Sequence, residues 1–153
     1  MRLRLPARLL PPLQAALTRA GRREIGGQLF GEQLAVSDFR ILDIAIQARP
    51  GTLTRFFVDL VQAGLDAATF HDRIGHHYRR FNYLGEWHSH PGFPVEPSSL
   101  DTAAMQGLTT DADFAGAFAV LMIARLDPGE LRLGSWVYDR NGARGTVTLE
   151  IEE

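Results

Sequence analysis

A mixed α and β fold, organised as one unit over residues 1–153, is what the sequence predicts, and three observations carry it. Apolar residues recur at helical spacing in two segments, 6–20 and 59–81. Around them lie runs rich in β-branched and aromatic residues, bounded by Gly, Pro and Asn, that read as strands. No internal repeat, low-complexity tract or linker divides the chain, and its length suits one domain.

In order, Leu9, Leu10, Leu13, Ala16, Leu17 and Ala20 form an i, i+3, i+4 stripe ending at Gly21. This predicts an amphipathic first helix, with Pro11 and Pro12 confining its regular part to the residues after them. Residues 24–32 read as a strand containing the pair Gly26-Gly27, and glycine inside a strand marks a close backbone approach or a bulge. A second long strand is expected over 34–48, closed by Pro50-Gly51, and a third over 55–58. The central helix spans 59–81, with Gly64 and Gly75 as weak points. Residues 83–90 are again strand-like, after which Pro91, Gly92, Pro94 and Pro97 force an irregular loop. A helix restarts at Ser98. Three apolar runs, 117–126, 131–138 and 146–151, are separated by Asp127-Pro128-Gly129-Glu130 and by Asn141-Gly142, a hairpin signal, and predict a closing β-meander.

Composition excludes several function classes. Sixteen basic and 18 acidic residues leave a formal charge of −2, without the basic excess that nucleic-acid binding requires. Every basic residue is arginine. The absence of cysteine removes disulfides, thiolate metal sites and cysteine nucleophiles, so a metal must be held by His, Asp or Glu. No run reaches signal-peptide or membrane-span length, and a cytoplasmic, soluble protein is expected.

The chemistry concentrates in Gly85-Glu86-Trp87-His88-Ser89-His90, the proline-rich loop after it, and Ser98-Ser99-Leu100-Asp101. In a strand, side chains repeat with period two, so His88 and His90 point to one face and can reach one metal. A helix beginning at Ser98 offers Asp101 from its first turn as a third ligand. Three protein ligands with one open position form the pattern of a catalytic zinc site, whereas structural sites are closed by four. A nearby carboxylate then suits general-base hydrolysis.

These residues resemble the JAMM family, also called catalytic MPN or JAB domains, whose pattern is an upstream Glu, then His-x-His, seven residues, Ser, two residues and Asp. Every spacing matches, since residues 91–97 separate His90 from Ser98, and Ser99 and Leu100 precede Asp101. The resemblance implies a single JAB domain with a central, mostly antiparallel sheet flanked by helices, related to the cytidine-deaminase-like fold. It implies Zn²⁺ held by His88, His90 and Asp101, Glu24 as general base, and Ser98 as a hydrogen-bond donor to the oxyanion. The chain looks most like small bacterial JAB proteins encoded beside ubiquitin-activating-like and ubiquitin-conjugating-like enzymes in anti-phage defence operons. That likeness implies a metalloprotease hydrolysing the bond after the C-terminal glycine of a ubiquitin-like protein, and it implies that protein, its conjugates and the operon enzymes as partners. A modifier tail would add as a strand along a groove lined by 49–57 or by the 92–97 loop, with Phe93 as a substrate contact.

Plainer readings compete with these roles. Ser98 and Asp101 also form a capping box, and Ser98 has room for both roles. Glu24 follows Arg22 and Arg23 and suits a surface ion pair; Glu32, Glu86 and Glu96 are competing bases. His71, His76 and His77 do not share a helix face and read as surface or boundary residues. Trp87 and Trp136 read as packing residues. A peptidase acting on a sulfur-carrier protein is the alternative within the family, and a non-catalytic MPN scaffold is the alternative outside catalysis, although such scaffolds lose the ligands retained here. A nucleoside deaminase needs cysteine ligands and is excluded.

Overall fold

A computed structural model of the chain describes residues 1–51 and 59–153, so the strand expected at 55–58 and most of the 49–57 segment lie outside the described residues. The described strands are β1 (Arg2–Pro6), β2 (Gly26–Ala35), β3 (Asp38–Ile44), β4 (Phe81–Ser89), β5 (Phe118–Asp127), β6 (Glu130–Asp139), β7 (Arg144–Thr146) and β8 (Thr148–Glu152). The helices are α1 (Leu10–Ala20), α2 (Leu60–Arg73) and α3 (Ser99–Thr110), with a 3₁₀ turn at Ala7–Leu9 before α1. All eight strands form one sheet in the order β7-β6-β5-β4-β2-β3-β1-β8. Pairing is antiparallel except at β1–β3, β1–β8 and β4–β5.

Several expectations are refined. Strand β1 is an element beyond those expected, although Arg-Leu-Arg-Leu alternates cleanly and buries Leu3 and Leu5. Pro11 and Pro12 sit inside the first turn of α1, where their missing amides have no intrahelical partner to lose. The run from Leu34 is not one strand: Leu34 lies at the end of β2, and the chain turns at Val36-Ser37, with Ser37 at a φ of 59°. Helix α2 stops at Arg73, because Gly75 and His76 adopt positive φ, so His76 and His77 lie in the following turn. The last run is no meander strand. Only Val147 separates β7, on one edge of the sheet, from β8, which pairs in parallel with β1 on the other. A one-residue link between opposite edges requires the sheet to curl almost closed.

Helix α1 fills the inside of that curl, where Leu13, Ala16 and Leu17 pack with Leu29, Ile41, Trp87, Val120 and Met122. Helix α3 covers the outer face through Met105, against Ala119, Leu121, Ile123 and Tyr138. On the same outer face, Phe70 of α2 stacks on Phe30 at 4.7 Å.

Which face β4 presents is set by a bulge. Leu29 pairs with Gly85 but Phe30 pairs with Tyr83, leaving Leu84 as an extra residue. Leu84 and Trp87 consequently both reach the inner core although they are three residues apart. Without the bulge, strict alternation from Leu84 would turn His88 inward; with it, His88 and His90 face α3. Gly85 permits the bulge, with a φ of 154° and with the Val120 carbonyl where a Cβ would stand.

Candidate active site

The parallel β4–β5 pair needs a crossover, and α3 is that crossover. It returns the chain over the outer face with Asp101 in its first turn, above the two histidines of β4. His88 Nε2 and His90 Nε2 lie 3.1 Å apart. Asp101 Oδ1 is 3.2 Å from the first and Oδ2 3.4 Å from the second. Metal–ligand distances of about 2.0–2.1 Å in tetrahedral geometry place ligand atoms about 3.3 Å apart, so the three side chains fit a zinc ion.

Orientation is fixed from behind. His90 Nδ1 is 2.8 Å from the Pro94 carbonyl, which makes Nδ1 the protonated nitrogen and leaves the Nε2 lone pair aimed at the triad. The 91–97 loop that carries Pro94 is tethered in turn: Arg125 donates to the Phe93 carbonyl at 3.1 Å and to Asp127 at 2.6 Å. At the other ligand, the Ser98 amide donates to Asp101 Oδ2 at 2.7 Å and the Asp101 amide to Ser98 Oγ at 3.1 Å. The capping box and the ligand geometry therefore coexist. Ser98 uses its oxygen for the cap and keeps a hydroxyl proton to donate.

The electrostatics follow from these contacts. Burial of Asp101 opposes its charge, but His88, His90 and Ser98 outweigh it and hold the carboxyl far below the usual carboxylate range. Burial opposes the His90 imidazolium, and Asp101, the Pro94 carbonyl and Glu24 outweigh it, raising its pKa. Divalent metal binding must displace that proton.

Glu24 is 4% exposed and lines the same cleft as His90, Ser98 and Asp101, so its setting is buried. Its backbone is held on both sides. The Ile25 carbonyl accepts from the Ser89 amide at 2.8 Å and the Ile25 amide donates to Ser89 Oγ at 3.0 Å, while the Glu24 carbonyl accepts from Gly51 at 2.7 Å. The glycine pair does mark a close approach, but to the chain itself. A Cβ at Gly26 would collide with the Trp87 carbonyl, and one at Gly27 with the Ala45 carbonyl. Glu32 is remote from the triad: it pairs opposite Phe81 at the far end of β4 and binds Arg40 and Arg80. Glu86 is half-buried beside Tyr83, its carboxyl pushed up by desolvation against the opposing pull of His88. Phe93 lines the cleft and meets His90 edge-on, with ring centres 6.1 Å apart. Trp87 is core, donating to the Ala45 carbonyl, and Trp136 packs beneath α3. Sequence reasoning missed Ser89, Pro94 and Arg125 as supports; only the serine between the histidines gave any signal.

A family model described as prokaryotic homologues of the JAB domain matches residues 6–137. The chain belongs to the prokaryotic JAB family. Among curated relatives of this JAB chain, a protein named CD-NTase/cGAS isopeptidase from Enterobacter hormaechei subsp. hoffmannii (strain UCI 50) is 37% identical over 62 residues. That match covers 40% of this chain and 34% of the relative, so it spans about a third of the relative's length. Among solved structures, protein DSY2949 from Desulfitobacterium hafniense superposes with a TM-score of 0.69 at 20% identity, covering 98% of this chain and 94% of that one. At that identity the likeness concerns the JAB fold alone. Among the described residues no helix is long and apolar enough to cross a membrane.

Proposed function

We propose that this JAB chain is a zinc-dependent deconjugase that hydrolyses the amide bond after the C-terminal glycine of a ubiquitin-like protein, freeing it from a target or trimming its precursor. The observation that carries this reading is the cradle of His88, His90 and Asp101, with donor atoms 3.1–3.4 Å apart, beside buried Glu24 in one cleft. Membership of the JAB family and a relative named as an isopeptidase support hydrolysis of an isopeptide bond.

Zinc bound by these three residues would supply Lewis-acid polarisation of the scissile carbonyl and of attacking water. Glu24 takes the proton from that water at its carboxylate and returns it to the leaving nitrogen as the C–N bond breaks. Ser98 donates a hydrogen bond through its hydroxyl to the oxyanion formed at the carbonyl. Pro94 keeps His90 in the tautomer whose Nε2 is a lone-pair donor, and the capping box keeps Asp101 oriented toward both imidazoles.

The test is cleavage of a ubiquitin-like protein carrying a C-terminal extension, by zinc-loaded wild type and Glu24→Gln in parallel, with zinc content measured on both. Cleavage after the terminal glycine by wild type, and a loss of about a hundredfold or more in Glu24→Gln with zinc retained, is the expected result. Equal turnover by both proteins would remove Glu24 from the mechanism, and failure to retain zinc in wild type would remove the metal.

A further inference from the structure

The cleft beside the triad carries one more charge than the proposed reaction uses. Its lining includes three carboxylates, Glu24, Glu96 and Asp101, and no arginine among the described residues. Asp101 belongs to the triad and Glu24 to the proposed reaction. Glu96 remains. Its exposed carboxylate has no hydrogen bond or ion pair with the described residues, whereas Glu32, Asp38, Asp43, Asp127 and Glu152 each meet an arginine.

The surroundings of Glu96 are apolar. Phe93 and Leu100 are 40% and 62% exposed in the same cleft, next to Pro94 and Pro97. An apolar floor with a lone carboxylate at its rim is complementary to a side chain with a methylene stem and a cationic end. The cleft volume of about 670 Å³ also bears on which part of a substrate it holds. A tail ending in glycine has no side chain there and needs only a narrow channel. The cleft is wider than such a channel and has room for further residues of a substrate.

Resting on the proposed function, we infer that this cleft receives the leaving-group segment of the substrate, and that Glu96 selects a Lys or Arg side chain within the first few residues beyond the bond that is cut. The methylenes lie along Phe93 and Leu100, and the cation sits at the Glu96 carboxylate. An exposed ion pair changes binding by up to about fivefold, and replacing attraction by repulsion enlarges the contrast, so basic tails are favoured over acidic ones by about tenfold.

The experiment compares ubiquitin extended by Ser-Lys-Ala-Arg, Ser-Gln-Ala-Gln or Ser-Glu-Ala-Glu as substrates of the zinc-loaded full chain. The expected order of kcat/KM is basic, neutral, acidic, spanning about tenfold at low salt and narrowing as salt screens the charges. Glu96→Gln brings the three together and Glu96→Arg reverses the order. Equal rates on all three tails, or an order unchanged in Glu96→Arg, would overturn the inference. In parallel, fluorescence anisotropy measures binding of labelled Gly-Gly-Ser-Lys-Ala-Arg and Gly-Gly-Ser-Glu-Ala-Glu to zinc-loaded Glu24→Gln with and without Glu96→Gln. If no ubiquitin fusion is cut, a basic preference that vanishes with Glu96→Gln supports the cleft's specificity while the proposed function falls; equal binding of both peptides overturns it.

Discussion

Ser98 caps α3 and is proposed to serve the chemistry as well, and the two roles separate quantitatively. Its Oγ accepts the Asp101 amide at 3.1 Å, so Ser98→Ala deletes the α3 cap. Loss of such a cap costs about 1 kcal/mol, which for a domain of this length lowers Tm by about 3 °C. Loss of an oxyanion donor costs about 2.7–4 kcal/mol of barrier, a fall of about 10²–10³ in kcat. Ser98→Asp restores the acceptor and the cap but brings no proton to donate, and Ser98→Thr keeps both. Thermal unfolding by circular dichroism and kcat on a ubiquitin-like fusion, measured on all three variants, therefore give distinct patterns. Ser98→Ala loses both properties, Ser98→Asp recovers stability but not activity, and Ser98→Thr recovers both. If Ser98→Ala lowered kcat by less than about tenfold, or if Ser98→Asp restored turnover, the hydroxyl would be a cap alone.

Two further outcomes are expected from the contacts around the site and the sheet edge. Arg125→Ala, by releasing the loop that holds the Pro94 carbonyl on His90, is expected to weaken zinc binding by about 10–100-fold in a chelator competition while leaving the far-ultraviolet spectrum unchanged; unchanged affinity would show that the loop holds itself. Acid should loosen the β1–β3–β8 edge. Asp38 is held below its ordinary pKa by its bond to Arg4, and Glu152 by its bond to Arg40, so both stabilise the fold above pH about 4, and that contribution is lost as pH falls through their depressed folded-state values. Urea unfolding between about pH 7 and pH 3 should therefore show a shallower acid loss in Asp38→Asn than in wild type, and parallel profiles would refute the assignment.

Local sequence determined the parts of this site that depend on neighbours along the chain. The two-residue spacing of His88 and His90 gives a shared face in any strand, and Ser98-x-x-Asp101 closes its capping box within four residues. The glycine pair announced a crowded backbone, and Gly21 marked where α1 ends, whereas the helix expected to run through Gly75 to residue 81 stops at Arg73. Tertiary structure decided the rest. Strict alternation does not reveal which face the histidines share, because the bulge at Leu84 exists only through pairing of β4 with β2, a strand distant in sequence. Asp101 reaches them because β4 and β5 pair in parallel and α3 must cross between them. Glu24 joins them through the Ile25–Ser89 clamp, 64 residues apart in sequence. The run expected to finish a meander instead joins β1 at the opposite edge, since that is where Leu149 finds the core containing Leu3 and Leu5. Periodicity and capping are properties of a few adjacent residues. Register, strand order and the meeting of distant side chains are settled by which apolar faces bury together, and that is decided only when the whole sheet forms.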